Sequence, residues 1–287
     1  MTRILPILIA AVATVTLAAC PMMPTQIRTP IPVRACVVTG GPWTTDAAPG
    51  GPAGHVSQMM DAVNAIWQQT NVAFLFLTDP PVIDDPQPPG MPLDVPPYVA
   101  KGQLGDVRMD DTNGYGSDEA KAAIDACNEA WYPGVAADQL PGFTVVFVRE
   151  LIWTDGGPTP QSGYSTNLLP LFIAKEAELC QRPYQVSKAD VAGRWTIIET
   201  YDRNYHGPPP NLASVVAHEL GHDLLLGHGD GVDNDQNGKW DEYCDPAETN
   251  SGSSLMDIYP TSSNTITPLQ RERAEAAAAV VPVNNPP

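Results

Sequence analysis

The apolar positions of this chain fall into blocks with different periods, and the periods predict a sequence of elements. Residues 31–38, IPVRACVV, form an unbroken and largely β-branched run that predicts a first strand. After a stretch rich in glycine and proline, Ser57 can cap a helix in which Met59, Met60, Val63, Ile66 and Trp67 recur at helical spacing. Asn71 ends that helix, and residues 72–77 carry the β-branched and aromatic content of a second strand. From 79 to 116, prolines, glycines and aspartates show no sustained period, the mark of a long surface insertion. A second helix begins at Ser117, with Asp118 and Glu119 favourably placed in its first turn, and runs to about Trp131. Residues 143–152 and 195–200 read as strands, separated by a glycine-rich turn region over 156–165. Asn211 then follows three prolines and precedes an apolar run that reads as a capped, largely buried helix, and Thr267 with Pro268 starts a last helix over 269–281. No internal repeat is visible. This order of strands and helices predicts an α+β or mixed α/β fold.

The first nineteen residues stand apart from this pattern. Arg3 supplies a small positive region, and the apolar run that follows is short for a membrane span. Its ending, Leu17, Ala18, Ala19 and Cys20, resembles the lipobox of bacterial lipoproteins, which implies removal of residues 1–19 as a signal peptide and acylation of Cys20. Residues 21–30, rich in proline and methionine, then read as a tether to a domain over 31–287. The location so implied is the bacterial cell envelope, at the outer membrane or the cell surface, with a lipid as the sole contact to the membrane.

Charge and cysteine content narrow the picture. A formal net charge of −18 opposes binding to phosphate backbones, so nucleic acid is excluded as a partner. With Cys20 assigned to lipid, Cys36, Cys127, Cys180 and Cys244 remain, too widely spaced for a zinc knuckle. An even set in an oxidising compartment predicts two disulfides, with all three connectivities open. Oligomeric state is not set by any of these features.

The chemistry concentrates in residues 211–228. On a helix, positions four apart share a face, so His218 and His222 can present two imidazoles to one metal ion with Glu219 beside them as a general base. His228 is a candidate third ligand. In an unbroken helix it would lie about 15 Å along the axis from His218, too far for ligands that sit about 2.0–2.1 Å from zinc. The helix must end between them, and Gly227 is the residue best able to turn the chain.

HELGHDLLLGH at 218–228 resembles the HExxHxxGxxH motif of the metzincin zinc peptidases at His218, Glu219, His222 and His228. The family's glycine position holds Leu225, with Gly227 two residues later, so the break in the helix is expected to be displaced towards Gly227. The family also carries a methionine turn beneath the metal, and Ser253, Ser254, Leu255, Met256 and Asp257 resemble it, Met256 falling 28 residues after His228. Tyr259 lies three residues beyond Met256, one more than in the members that use a tyrosine ligand, and is given no role. The upstream elements resemble the family's amino-terminal half, and Gly163, Tyr164 and Ser165 are candidates for the edge strand that would hold an extended peptide. The resemblance implies a zincin fold: a twisted, mostly parallel sheet with helices over 31–228, and a small irregular subdomain over 229–287.

A second metal is suggested just downstream. Counting from Asp233, oxygen-bearing side chains at Asp233, Asp235, Asn237 and Asp241, with Gly238 at the tight turn and the Lys239 carbonyl, follow the EF-hand calcium loop. Position 12 is Cys244 rather than glutamate, and Glu242 or Asp245 could substitute. A structural Ca²⁺ would stiffen the chain between His228 and the methionine turn.

These readings converge on a zinc-dependent endopeptidase that needs no serine or cysteine nucleophile, with peptide or protein as substrate. A non-catalytic metal-binding lipoprotein and a zinc hydrolase of a non-peptide amide are the alternatives. His55 and His206 are lone loop histidines, and Trp153, Tyr164 and Trp195 are aromatic residues for a cleft wall or, by default, for the core.

Overall fold

Residues 31–38 are buried at every position, and the strand they form is the centre of the molecule: β1 (Ile31–Val38) has neighbours on both sides and helices on both faces. Full burial on both faces is what a continuous apolar run, as opposed to an alternating one, requires. The computed structural model describes residues 30–45, 50–85, 105–109, 118–153, 163–201, 211–229, 239, 242–244, 254–257 and 264–284. Residues 1–29 with Cys20, His206, Asp245, Tyr259 and the candidate calcium ligands Asp233, Asp235, Asn237 and Asp241 lie outside them.

The main sheet has the order β2-β1-β5-β8-β7, formed by β2 (Phe74–Phe76), β5 (Phe143–Val148), β8 (Trp195–Glu199) and β7 (Gly163–Ser165), with β3 (Val82–Ile83) also paired to β1. All pairs are parallel except β7, which runs antiparallel to β8 at the end of the sheet. The chain is therefore α+β, with a mostly parallel mixed sheet.

Alternation along the strands divides the core in two. Val33, Ala35, Val37, Val145 and Phe147 face α2 (Gly51–Trp67) and α7 (Leu212–Asp223). Cys36, Val38, Val146 and Ile197 face α3 (Asp118–Trp131), where the Cys36–Cys127 disulfide joins β1 to that helix. The second disulfide joins Cys180, after α5 (Glu176–Leu179), to Cys244.

Several boundaries differ from the sequence reading. Helix α2 starts at Gly51, six residues before Ser57, because Pro52 suits a first helical turn. The run 143–152 is two strands: Arg149 breaks it by pairing with Asp106 and Glu150, and β6 (Glu150–Trp153) leaves to pair with β4 (Asp106–Met109) in a separate sheet. Thus β3 and β4 both come from the expected surface insertion. Three short helices, α4 (Leu169–Ala174), α5 and α6 (Lys188–Val191), occupy a region where the apolar period predicted nothing. The last helix, α8 (Pro268–Ala278), begins with Thr267 accepting from the Gln270 backbone while the Gln270 side chain returns to the Thr267 N–H.

Candidate metal centre

Helix α7 is buried along nearly its whole length, and Trp67 of α2 donates its indole N–H to the Ala217 carbonyl at 3.3 Å. Asn211 starts it by backbone geometry: it takes a left-handed conformation with φ 63°, its carbonyl accepts from Ser214 and Val215, and its side chain makes no cap. The side-chain cap expected of Asn211 is not made. A buried helix that carries His218, Glu219 and His222 must find a partner for every polar atom it hides.

The partners are specific. His218 donates from Nδ1 to the Leu255 carbonyl at 2.7 Å, and His222 from Nδ1 to the Leu226 carbonyl at 2.6 Å. His228 places Nδ1 2.8 Å from Glu242 Oε1. A carbonyl or carboxylate can only accept, so each Nδ1 carries the proton and each Nε2 is left as a lone pair. Those lone pairs face one another. His222 Nε2 is 3.1 Å from His218 Nε2 and 3.2 Å from His228 Nε2.

Three facing lone pairs repel unless a cation lies among them. For nitrogens about 2.0–2.1 Å from a tetrahedral metal, the nitrogen separation is about 3.3 Å, close to what is seen. The three histidines can hold a metal ion. Their protonation suits it: burial, followed by the neighbouring His228, lowers His218 to about 3 and His222 well below its usual value, so both are neutral ligands at pH 7.

His228 reaches the site because α7 ends in a tight, fully bonded turn. The Leu225 N–H bonds the His222 carbonyl at 2.9 Å and the Leu226 N–H bonds the Gly221 carbonyl at 3.0 Å, the two bonds of a Schellman motif. Such a turn needs one left-handed residue. That residue is Leu225, with φ 63°, whereas Gly227 is not left-handed. The break expected at Gly227 therefore falls at Leu225, at the motif's glycine position. A leucine tolerates the conformation because its side chain is fully buried in the main core, which outweighs about 1–2 kcal/mol of left-handed strain.

The methionine turn lies under the helix. A Cβ built on Gly221 would come within 2.5 Å of Met256 Sδ, so the glycine between the two histidines is where the buried methionine is received. The turn is locked to the strand of chain after His228: Gly229 N–H bonds the Met256 carbonyl at 3.0 Å, and its own carbonyl accepts from Ser254 Oγ and Gln270 Nε2. Leu255, one residue before Met256, supplies the carbonyl that orients His218.

Glu219 lies against the edge strand β7. A Cβ on Gly163 would meet the Glu219 side chain at 2.7 Å, and Ser165, on the same face, hydrogen-bonds the carboxylate. Burial pushes the Glu219 carboxyl up to about 8, against the opposing effect of Ser165. Asp223, also fully buried, is pushed up to about 7 by burial, moderated by Arg194 and by Thr196, whose hydroxyl donates to it at 3.0 Å.

Other expected residues fall elsewhere. Tyr164 and Trp195 pack together, ring centroids 6.0 Å apart, on the α3 side of the sheet, away from α7; alternation along β7 turns Tyr164 opposite to Gly163 and Ser165. His55 lies in α2 and stacks on Trp43 at 5.1 Å, and Trp43 packs at a tilt against Phe147 of β5, so His55 is not a solvated loop residue. Lys239 ion-pairs with Glu176 of α5. Glu242, a candidate for the calcium loop, is engaged through Oε1 with His228. Sequence spacing marks Glu242 only as part of a calcium loop, and it does not mark Ser165 as a partner of Glu219, Gly163 as its packing surface, or Asp223. For Asp223 the signal was present: a carboxylate beside His222 in an apolar run is buried and must be paired.

No protein-family model matches the chain, and no curated protein matches it.

Proposed function

We propose that this chain is a zinc-dependent endopeptidase of the metzincin type, hydrolysing peptide bonds with Glu219 as general base. The observation that carries this reading is the convergence of the His218, His222 and His228 Nε2 atoms, each ring held by an acceptor at its Nδ1, beside a buried glutamate with its own hydroxyl partner. Zinc is the metal that a set of imidazole ligands favours, and the 3.1 and 3.2 Å separations from His222 Nε2 suit it. A purely structural zinc is normally closed by a fourth protein ligand; among the described residues the cluster holds three.

When bound, zinc supplies Lewis acidity, lowering the pKa of water toward about 7 and polarising a carbonyl. The chain supplies the rest. His218, His222 and His228 would hold the ion through their Nε2 atoms. Glu219 takes the proton from the attacking water and hands it to the leaving amine nitrogen as the C–N bond breaks, so the carboxylate is regenerated. Ser165 fixes the carboxylate during both transfers.

A peptide is favoured over a small amide because β7, at the end of the sheet order among the described residues, runs beside Glu219 and offers an edge that an extended chain can extend by backbone hydrogen bonds. The two disulfides support export to an oxidising compartment, in line with acylation at Cys20. Among the described residues no helix is long and apolar enough to cross a membrane. The pattern at Asp233, Asp235, Asn237, Lys239 and Asp241 is proposed as a structural calcium loop on sequence grounds.

The test compares wild type with Glu219→Ala for bound zinc and for cleavage of a diverse peptide library. Stoichiometric zinc in both proteins and cleavage by wild type alone are expected. Equal cleavage would remove Glu219 from the mechanism, and a wild type without zinc would remove the site.

A further inference from the structure

Two of the three histidines are oriented by backbone carbonyls of turns adjoining the site, whereas the third is oriented by a side chain from a segment with its own anchorage. Glu242 makes three contacts to His228: Oε1 to Nδ1 at 2.8 Å, Oε1 from the His228 N–H at 3.2 Å, and its own N–H to the His228 carbonyl at 2.9 Å. Tyr243 adds a hydrogen bond to the same carboxylate.

The segment carrying Glu242 is docked on α4 and α5. Cys244, two residues on, is disulfide-bonded to Cys180 at the end of α5. Tyr243 stacks on Phe172 of α4, ring centroids 4.9 Å apart, and Lys239 pairs with Glu176 at the start of α5. Beneath them the buried Arg273 of α8 lies over the Phe172 ring and donates to Cys244 Sγ at 3.6 Å.

We infer that Glu242 is the positioning residue for the third metal ligand, and that the Cys180–Cys244 disulfide holds it in place, so that retention of the metal depends on the oxidation state of that disulfide. The inference rests on the metal-site reading proposed above. A carboxylate on Nδ1 fixes ring orientation and tautomer and makes Nε2 a stronger donor; loss of such a partner typically costs about 10–100-fold in metal affinity. Two-electron reduction by an external thiol pair, which returns Cys180 and Cys244 as thiols and leaves the reductant as a disulfide, removes the covalent anchor of the segment to α5 and loosens the hold of Glu242 on His228 without altering any ligand.

The experiment measures zinc affinity by chelator competition, and the visible absorption of the cobalt-substituted protein, for the full chain. It uses wild type, His228→Ala, Glu242→Ala, Glu242→Gln, the double variant Cys180→Ala/Cys244→Ala, and Glu242→Ala combined with each of His228→Ala and that double variant. Glu242→Ala is expected to weaken binding about 10–100-fold and to change the cobalt spectrum. Glu242→Gln, which keeps an acceptor for Nδ1, should recover most of the affinity and the spectrum. The disulfide variant should weaken binding without adding to Glu242→Ala, since both act through one contact. Removing Glu242 in a His228→Ala background should have no further effect.

Wild-type affinity and spectrum in Glu242→Ala, with His228→Ala weakened, would overturn this inference and leave the metal site standing. Additive losses from Glu242→Ala and the disulfide variant would overturn the link between them. Should Glu242→Ala fail to fold, the decision passes to Glu242→Gln and the disulfide variant: a weakened disulfide variant with a wild-type-like Gln variant supports the device, and unaltered affinity in the disulfide variant overturns it. Wild type without zinc, or His228→Ala indistinguishable from wild type, would instead defeat the proposed function itself.

Discussion

Burying the Glu219 carboxyl is costly in the metal-free chain, and the proposed bound cation would offset that cost. This carboxyl, pushed up to about 8 by burial from an ordinary 4.5, binds a proton in the metal-free folded chain that the unfolded chain releases near pH 4.5. Between those two values the folded state holds more protons, so its stability falls as pH rises. Glu219→Gln removes that dependence while keeping the shape. In metal-free protein, the variant's melting temperature should overtake that of wild type progressively between pH 4.5 and about 8, then keep a constant lead. A constant difference across that range would show that the carboxyl is not held protonated. A cation among the histidines reverses the balance, because an adjacent positive charge favours the carboxylate that base catalysis needs.

The decisive element is the end of α7. A helix brings His218 and His222 together by its period alone, but the third ligand depends on the Schellman turn and on a leucine in a conformation that usually belongs to glycine. Leu225 is fully buried, so two terms compete at this residue. Leu225→Gly relieves about 1–2 kcal/mol of strain but forfeits a buried side chain commonly valued at about 2–5 kcal/mol, for an expected net loss of about 0–4 kcal/mol. Leu225→Ala keeps the strain and loses the packing, and should be the more damaging of the two in urea unfolding. This order is the reverse of the one found inside a helix and the one expected at a left-handed helix end. The opposite order would mean that Leu225 is not left-handed in solution.

Across the whole molecule, the centre is assembled from parts far apart in sequence. His218 and His222 come from α7, the carbonyl on His218 from the methionine turn, the carboxylate on His228 from a segment stapled to α5, and the surface against Glu219 from β7. Gln270 of α8 ties the methionine turn to Gly229 at 2.9 Å. A ligand held by so many elements binds the folded state only, and its free energy adds to that of folding. Zinc at a free concentration 100-fold above its dissociation constant should stabilise the protein by about 2.7 kcal/mol, read as a rise in melting temperature that chelation reverses. A melting temperature unmoved by zinc would show that the cluster is not a metal site.

The sequence by itself determined the elements whose period is unambiguous and the residues whose spacing is a property of one helix. β1, α3 and α7 are legible because a buried strand, an amphipathic helix and a buried helix leave different apolar patterns, and His218, Glu219 and His222 because one helical turn explains them. The pairing of four cysteines, the split of the run at Arg149, and the short helices α4 to α6 depend on contacts between distant segments, which no local period records. The same holds for the helix break. Local preference pointed to Gly227, and tertiary burial placed it at Leu225, because a fully buried leucine gains more from the core than the left-handed backbone costs it. Glu242 is the clearest case: local pattern read it with a calcium loop, and only the folding of its segment onto α4 and α5 sets its carboxylate on His228.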